Sequence, residues 1–125
     1  MNPQSRQLIR IALLVATALF VFGHWSTGCG TPAGVTEVTI QNLQYNPADL
    51  TIKRGDTVRW TNNDQTAHTA TSDDFQAGQD NPPAAWDSQP LNPGQSFDRQ
   101  FDTAGQFPYH CEVHKYLRGT ITVEE

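Results

Sequence analysis

The sequence predicts an all-β sandwich, on two observations. Apolar residues recur at every second position in short runs, and clusters of Gly, Pro, Asn and Asp separate those runs. Alternation with period 2 places one face of a strand against a core, and the turn residues mark where each strand stops. After the first thirty residues no stretch keeps a 3.6-residue period for three turns, so helical architectures are excluded. A chain of 125 residues is one domain's worth of protein.

Taken in order, residues 1–28 read as a targeting segment. Arg6 and Arg10 supply a positive start, and Ile11 to Phe22 is an apolar run of 12 broken only by Thr17. A spanning helix needs roughly 20 apolar residues and a signal-peptide core about 7–15, which favours a signal peptide. Adding Leu8, Ile9 and an interfacial Trp25 keeps an uncleaved membrane anchor open. Ser26-Thr27-Gly28-Cys29 has the look of a bacterial lipobox, with Ser26 where Leu is usual, and makes Cys29 the candidate for lipidation. One acyl chain anchors only marginally, whereas several on Cys29 would hold the protein to a membrane. Residues 29–34 are a short Thr/Pro/Gly tether, and 35–125 form the folded domain.

Within that domain Val38 and Ile40 alternate with Thr39 and Gln41, and Leu50 and Ile52 with Thr51 and Lys53. Val58 and Trp60 alternate with Thr57, Arg59 and Thr61. Ile121 and Val123 alternate with Thr120, Thr122 and Glu124. Turns fall at Asn46-Pro47, Arg54-Gly55-Asp56, Asn62-Asn63-Asp64, Asn92-Pro93-Gly94 and Ala104-Gly105. Arg99 breaks the pattern by sharing parity with Phe97 and Phe101. The stretch from Ser72 to Pro93 has no period and is rich in Pro and Asp, so it reads as a long loop that Phe75 and Trp86 can pin.

The chemistry concentrates between Phe107 and Gly119. Phe107, Tyr109 and Cys111 share one parity and Pro108, His110 and Glu112 the other, so Cys111 closes the strand pointing inward and His110 points away. His114 returns toward Cys111 from the following loop. A lone C-x-x-H is a weak signal; His68, 43 residues before Cys111, raises it. One thiolate with two imidazoles is the ligand set of a blue-copper electron-transfer site. With Cys111 assigned to metal no disulfide remains, which returns Cys29 to the lipid reading.

Residues 30–125 hold six basic and all thirteen acidic residues, a net charge of −7. Nucleic acid is therefore excluded as a partner. Asp73, Asp74, Asp80 and Asp87 gather in one loop, either as a solvating surface or as a docking patch for a basic redox partner.

Residues 35–125 resemble the cupredoxins, the small amicyanin- and plastocyanin-like blue copper proteins. The resemblance rests on the stretches Asn46 to Ile52, Lys53 to Asn62 and Leu91 to Phe97, on His68, and on Tyr109 to His114. It implies an antiparallel Greek-key sandwich with one type 1 copper at one end, ligated by His68, Cys111 and His114. The family's axial Met corresponds to Leu117, an apolar neighbour and not a ligand, and the chain's only methionine is Met1. Thr69 stands where plastocyanin-like proteins often have Asn. The resemblance further implies a monomeric electron carrier and not an enzyme, and the missing donor at Leu117 leads us to expect a high reduction potential. It would be held at a membrane outside the cytoplasm, as in a periplasm, and serve redox partner proteins. Electrons would pass through the exposed edge of His114, within an apolar patch including Tyr116 and Leu117. A copper chaperone or store is the alternative, zinc would accept the same ligands, and a copper enzyme would need a second centre for which only His110 is left.

Overall fold

The computed structural model describes residues 33–125; the targeting segment, Cys29 and most of the tether lie outside them. Eight strands follow in order: β1 (Val35–Gln41), β2 (Gln44–Asn46), β3 (Asp49–Lys53), β4 (Thr57–Asn62), β5 (Thr71–Ser72), β6 (Ser96–Gln100), β7 (Gly105–His110) and β8 (Arg118–Glu124). They make two four-stranded sheets, in the orders β2-β1-β4-β6 and β3-β8-β7-β5. This is the expected all-β sandwich, with each alternating run of the sequence on its own strand.

The sheets are mixed and not purely antiparallel. Four pairings are antiparallel, but β1 runs parallel to β4, from Val35 opposite Thr57 to Ile40 opposite Asn62. Likewise β3 runs parallel to β8, with Leu50 opposite Ile121. The chain causes this by leaving β1 and β2 for β3 in the other sheet and returning beside β1 as β4, since parallel neighbours need a crossover.

The inward faces meet in one core of Val38, Ile40, Ile52, Val58, Trp60, Tyr109, Ile121 and Val123, joined by Trp86 and Phe101. Trp60 sits at its centre, with ring centroids of Tyr109, Phe97, Trp86 and Phe101 at 5.5, 5.9, 6.1 and 6.4 Å. Aromatic pairs at such distances contribute about 0.5–1.5 kcal/mol each beyond their buried area. The approach of β7 to β8 is so tight at Gly119 that a Cβ there would lie 2.5 Å from Tyr109 Cζ and 2.6 Å from the Ala48 carbonyl. Only glycine fits.

Arg99 resolves its parity conflict at the sheet edge. Its strand, β6, is an edge strand, and the long loop folds over it. The guanidinium donates from Nη2 to the Ala84 carbonyl at 2.9 Å and lies over the rings of Trp86 and Phe101, 5.0 and 5.5 Å from their centroids. The half-buried guanidinium thus caps this edge of the core, with Nε lacking a hydrogen-bond partner among the described residues. Trp86 does pin the loop: it is buried, and Ser72 N–H and Oγ bond to its backbone carbonyl. Phe75 is only half-buried.

Candidate metal centre

Three separate segments bring donors to one end of the sandwich. His68 follows β4 in a bend clamped to the end of the long loop, its N–H donating to Leu91 O at 3.1 Å and Leu91 N–H returning to His68 O at 2.7 Å. Cys111 is the first residue past β7, and its N–H donates to the Leu117 carbonyl at 3.1 Å. The loop then turns so that Leu117 N–H reaches the His114 carbonyl at 2.8 Å. These backbone bonds fix the segments from which the three donor side chains project.

The donor atoms converge. Cys111 Sγ is 3.7 Å from His68 Nδ1, and the Nδ1 atoms of His68 and His114 are 3.2 Å apart. One donor atom from each of the three residues lies within 4.8 Å of the others. A cation about 2.0 Å from imidazole nitrogen and about 2.3 Å from thiolate sulfur would separate its donors by such distances. A soft thiolate with two imidazoles suits copper. The residues present therefore fit a type 1 copper ion. His68 and Cys111 are wholly buried, while His114 is half-buried and stands edge-on to the exposed Tyr116, ring centroids 6.0 Å apart.

Hydrogen bonds complete the surroundings of the sulfur. Thr69 N–H donates to Cys111 Sγ at 3.3 Å and His114 N–H at 3.4 Å, so two backbone donors face the sulfur. Thr69 also acts through its hydroxyl, which accepts Glu112 N–H at 2.9 Å and bonds Thr71 Oγ1 at 2.8 Å. The residue expected as a departure from the family pattern thus ties the His68 segment to the Cys111 loop. Tyr45 O–H donates to the Thr69 carbonyl from below. Burial, reinforced by Cys111 and Tyr109, pushes the Tyr45 phenol well above its ordinary range and keeps it a donor.

On its far side His68 meets Asp64, with Nε2 3.0 Å from Oδ2. Burial pulls the His68 imidazole below its ordinary value, opposed by the hydrogen bond to Asp64 and assisted by His114. Burial pushes the Asp64 carboxyl up, but N–H donors from Leu43 and Asn42, together with His68, outweigh it and hold the group below the usual range. A neutral imidazole beside an ionised carboxylate is what a metal-binding histidine requires.

Sequence reading placed His68, Cys111, His114 and Leu117 at this end, and the structure brings all four there. Leu117 is 2 % exposed and packs in the same cluster as Cys111. It therefore lies beneath the surface and is not part of an exposed apolar patch; Val113, Tyr116 and Leu43 are the exposed apolar residues nearest in the chain to this end. His110 points to the opposite face, where Nδ1 lies 2.6 Å from Asp73 Oδ1 and Nε2 2.8 Å from Glu112 Oε1. Asp64 was missed because Asn62-Asn63-Asp64 reads only as a turn. Its carboxylate four residues before His68 was the one available signal.

Comparison with known proteins gives a consistent result. Residues 32–124 match the model of a family described as copper binding proteins, plastocyanin/azurin family. The plastocyanin of Scenedesmus fuscus is 36 % identical over 91 residues, covering 66 % of this chain and 88 % of that protein. A solved amicyanin variant in its Cu(I) form superposes with a TM-score of 0.63 at 33 % identity, covering 73 % of this chain and 83 % of the other. A copper-containing nitrite reductase from Thermus scotoductus reaches 0.64 at 26 % identity, but this chain spans only 24 % of it.

Proposed function

Because the chain belongs to the plastocyanin/azurin family of copper-binding proteins, with one type 1 copper as its cofactor, we propose that it is an electron-transfer protein whose metal is held by His68, Cys111 and His114. The observation that carries this reading is the convergence of one sulfur and two imidazole nitrogens in a mostly buried site. Bound there, copper supplies one-electron exchange between Cu(I) and Cu(II). The protein's residues do the rest. His68 and Cys111 are anchored by backbone bonds, so the same geometry serves both oxidation states and little has to move. His114 carries the half-buried edge through which an electron can pass to a partner, flanked by Val113 and Tyr116, which are 52 % and 66 % exposed. Leu117, buried beside Cys111, would supply no donor to the bound metal, and this would favour a high reduction potential.

Catalysis would need a second metal centre. Among the described residues the remaining histidine is His110, and both its ring nitrogens are engaged by carboxylates on the opposite face. A chaperone or store would favour exchangeable ligands, which buried donors do not provide. The reading also includes a location outside the cytoplasm, a monomeric domain, a membrane tether through lipid on Cys29 or through the N-terminal segment, and redox partners of basic character.

The test is a Cu(II) titration of residues 30–125. An intense thiolate-to-copper band is expected at one equivalent, with a reversible one-electron couple, and Cys111→Ser should abolish the band. A band that survives in Cys111→Ser, or no band in the wild type, would overturn the assignment. His110→Ala should leave the spectrum nearly unchanged.

A further inference from the structure

We infer that Asp64 is a positioning residue of the metal centre, which ties the outer edge of His68 to the β1–β2 turn and thereby presents Nδ1 to the site. The inference rests on the reading of His68 as a copper ligand and adds to it a residue that does not touch the metal.

The carboxylate of Asp64 has three donors. Oδ1 accepts Asn42 N–H at 2.6 Å, and Oδ2 accepts Leu43 N–H at 2.9 Å and faces His68 Nε2 at 3.0 Å. Asn42 and Leu43 form the turn between β1 and β2, both in the left-handed region at φ 55° and 57°. Left-handed backbone costs a non-glycine residue energy and persists only when its surroundings hold it. Here two consecutive N–H groups point at one carboxylate. Asp64 is itself held, its N–H donating to Asn62 Oδ1 at 2.9 Å. Asn62 in turn donates from Nδ2 to the carbonyls of Thr66 and Leu91, both at 2.8 Å. Leu91 is the residue that clamps the His68 backbone. The carboxylate therefore sits in a closed set of bonds around His68, with its side chain only 15 % exposed.

This arrangement decides where the imidazole carries its proton. An ionised carboxylate accepts only, so Nε2 must donate to it and hold the hydrogen. The neutral ring then has its lone pair on Nδ1, the atom that faces Cys111 Sγ and His114 Nδ1. Thr66 Oγ1, 3.3 Å from Nε2, cannot impose the same choice because a hydroxyl donates or accepts. A negative charge on the far side of the ring also makes the imidazole a stronger donor. Its effect on the potential is downward, opposite in sign to that of Leu117.

The experiment combines the tautomer of His68 with copper affinity and potential. In the copper-free domain, long-range proton–nitrogen NMR correlations of His68 should show hydrogen on Nε2. Asp64→Asn should lose this exclusive tautomer, bind Cu(II) roughly 10–100-fold more weakly and raise the potential. Thr66→Val should change none of these. Hydrogen on Nδ1 in the wild type would overturn the proposal, and so would a folded Asp64→Asn with unchanged tautomer, affinity and potential. If Asp64→Asn does not fold, the wild-type tautomer alone decides. Failure of the copper reading would show as an absent thiolate band, whereas the copper-free tautomer measures Asp64 independently of it.

Discussion

Leu117 is where a single side chain has the clearest expected consequence. At the axial side of a bound copper, an isobutyl group would donate no electron density and would keep water out, and both effects would disfavour the more highly charged oxidised state. Leu117→Met should therefore keep the blue site and lower its potential by about 1–2 kcal/mol, where roughly 1.4 kcal/mol corresponds to about 59 mV for one electron. Redox titration of the two proteins checks this, and an unchanged potential would mean that another group occupies the axial direction. Gln should lower the potential further. The three donors were readable in the sequence because few residue types bind copper and the thiol and imidazole lie three apart. Asp64 and Thr69 were not, because their roles depend on contacts with Asn42, Leu43, Glu112 and Thr71 that only the fold creates. A turn residue and a β-branched residue carry no mark of such partners.

Among elements, the segment from His68 to Ser72 and the long loop after it act together. Antiparallel bridges join His68 to Leu91 and Thr71 to Asp87, and Thr71 Oγ1 donates to Asp87 Oδ1 at 2.8 Å. A polar chain thus runs from the loop at Asp87 through Thr71 and Thr69 to the N–H of Glu112 beside Cys111. Thr69→Val keeps the shape and removes the hydroxyl, leaving the Glu112 N–H and the Thr71 hydroxyl each short of a partner. The expected cost is about 1–3 kcal/mol, read as a lower urea midpoint of the copper-free protein. The β3–β4 turn offers a pH test. Asp56 accepts Gly34 N–H at 2.8 Å and Lys53 N–H at 3.0 Å, and these two bonds hold its carboxyl below the ordinary range. A group depressed in the folded state stabilises above its unfolded value, near about 4, and loses that contribution as pH falls through the folded one. Wild type should lose stability on acidification more steeply than Asp56→Asn, and parallel urea midpoints between pH 6 and 2 would refute this. The longer strands β1, β3, β4, β7 and β8 were legible because alternation and turn chemistry agree there, whereas β2 and β5, of three and two residues, are too short to show a period. Arg99 was not, since whether an inward-parity charge is buried depends on its strand lying at an edge under Ala84 and Trp86.

At the scale of the molecule, the sandwich was legible from the number and spacing of alternating runs, but the parallel pairing of β1 with β4 and β3 with β8 was not. Direction is set by which sheet each strand joins, and alternation carries no record of that. Charge shows the same division between what composition states and what the fold redistributes. The domain's excess of acid is plain from the sequence, yet the four aspartates of the long loop are not equivalent. Asp73 lies against His110 and 3.2 Å from Arg118, and Asp87 accepts from Thr71 and Gln89. Asp74, Asp80 and Asp87 have no ion-pair partner among the described residues, and of these Asp74 and Asp80 are exposed and carry the loop's charge outward. Long-range attraction to a basic redox partner would raise the encounter rate and be screened by salt, since the Debye length falls from roughly 30 Å at 0.01 M to about 10 Å at 0.1 M. Electron exchange with a cationic redox protein, followed by stopped flow, should therefore slow as ionic strength rises. Asp74→Asn with Asp80→Asn should flatten that dependence. Asp98→Asn is the internal comparison, because the two carboxylate oxygens of Asp98 already receive the Arg59 guanidinium at 2.7 and 2.6 Å. Removing its charge frees the Arg59 cation and should shift the slope independently of Asp74 and Asp80. A rate indifferent to salt in the wild type would assign docking to the apolar rim of Val113 and Tyr116 around His114, with the acidic loop serving solubility alone.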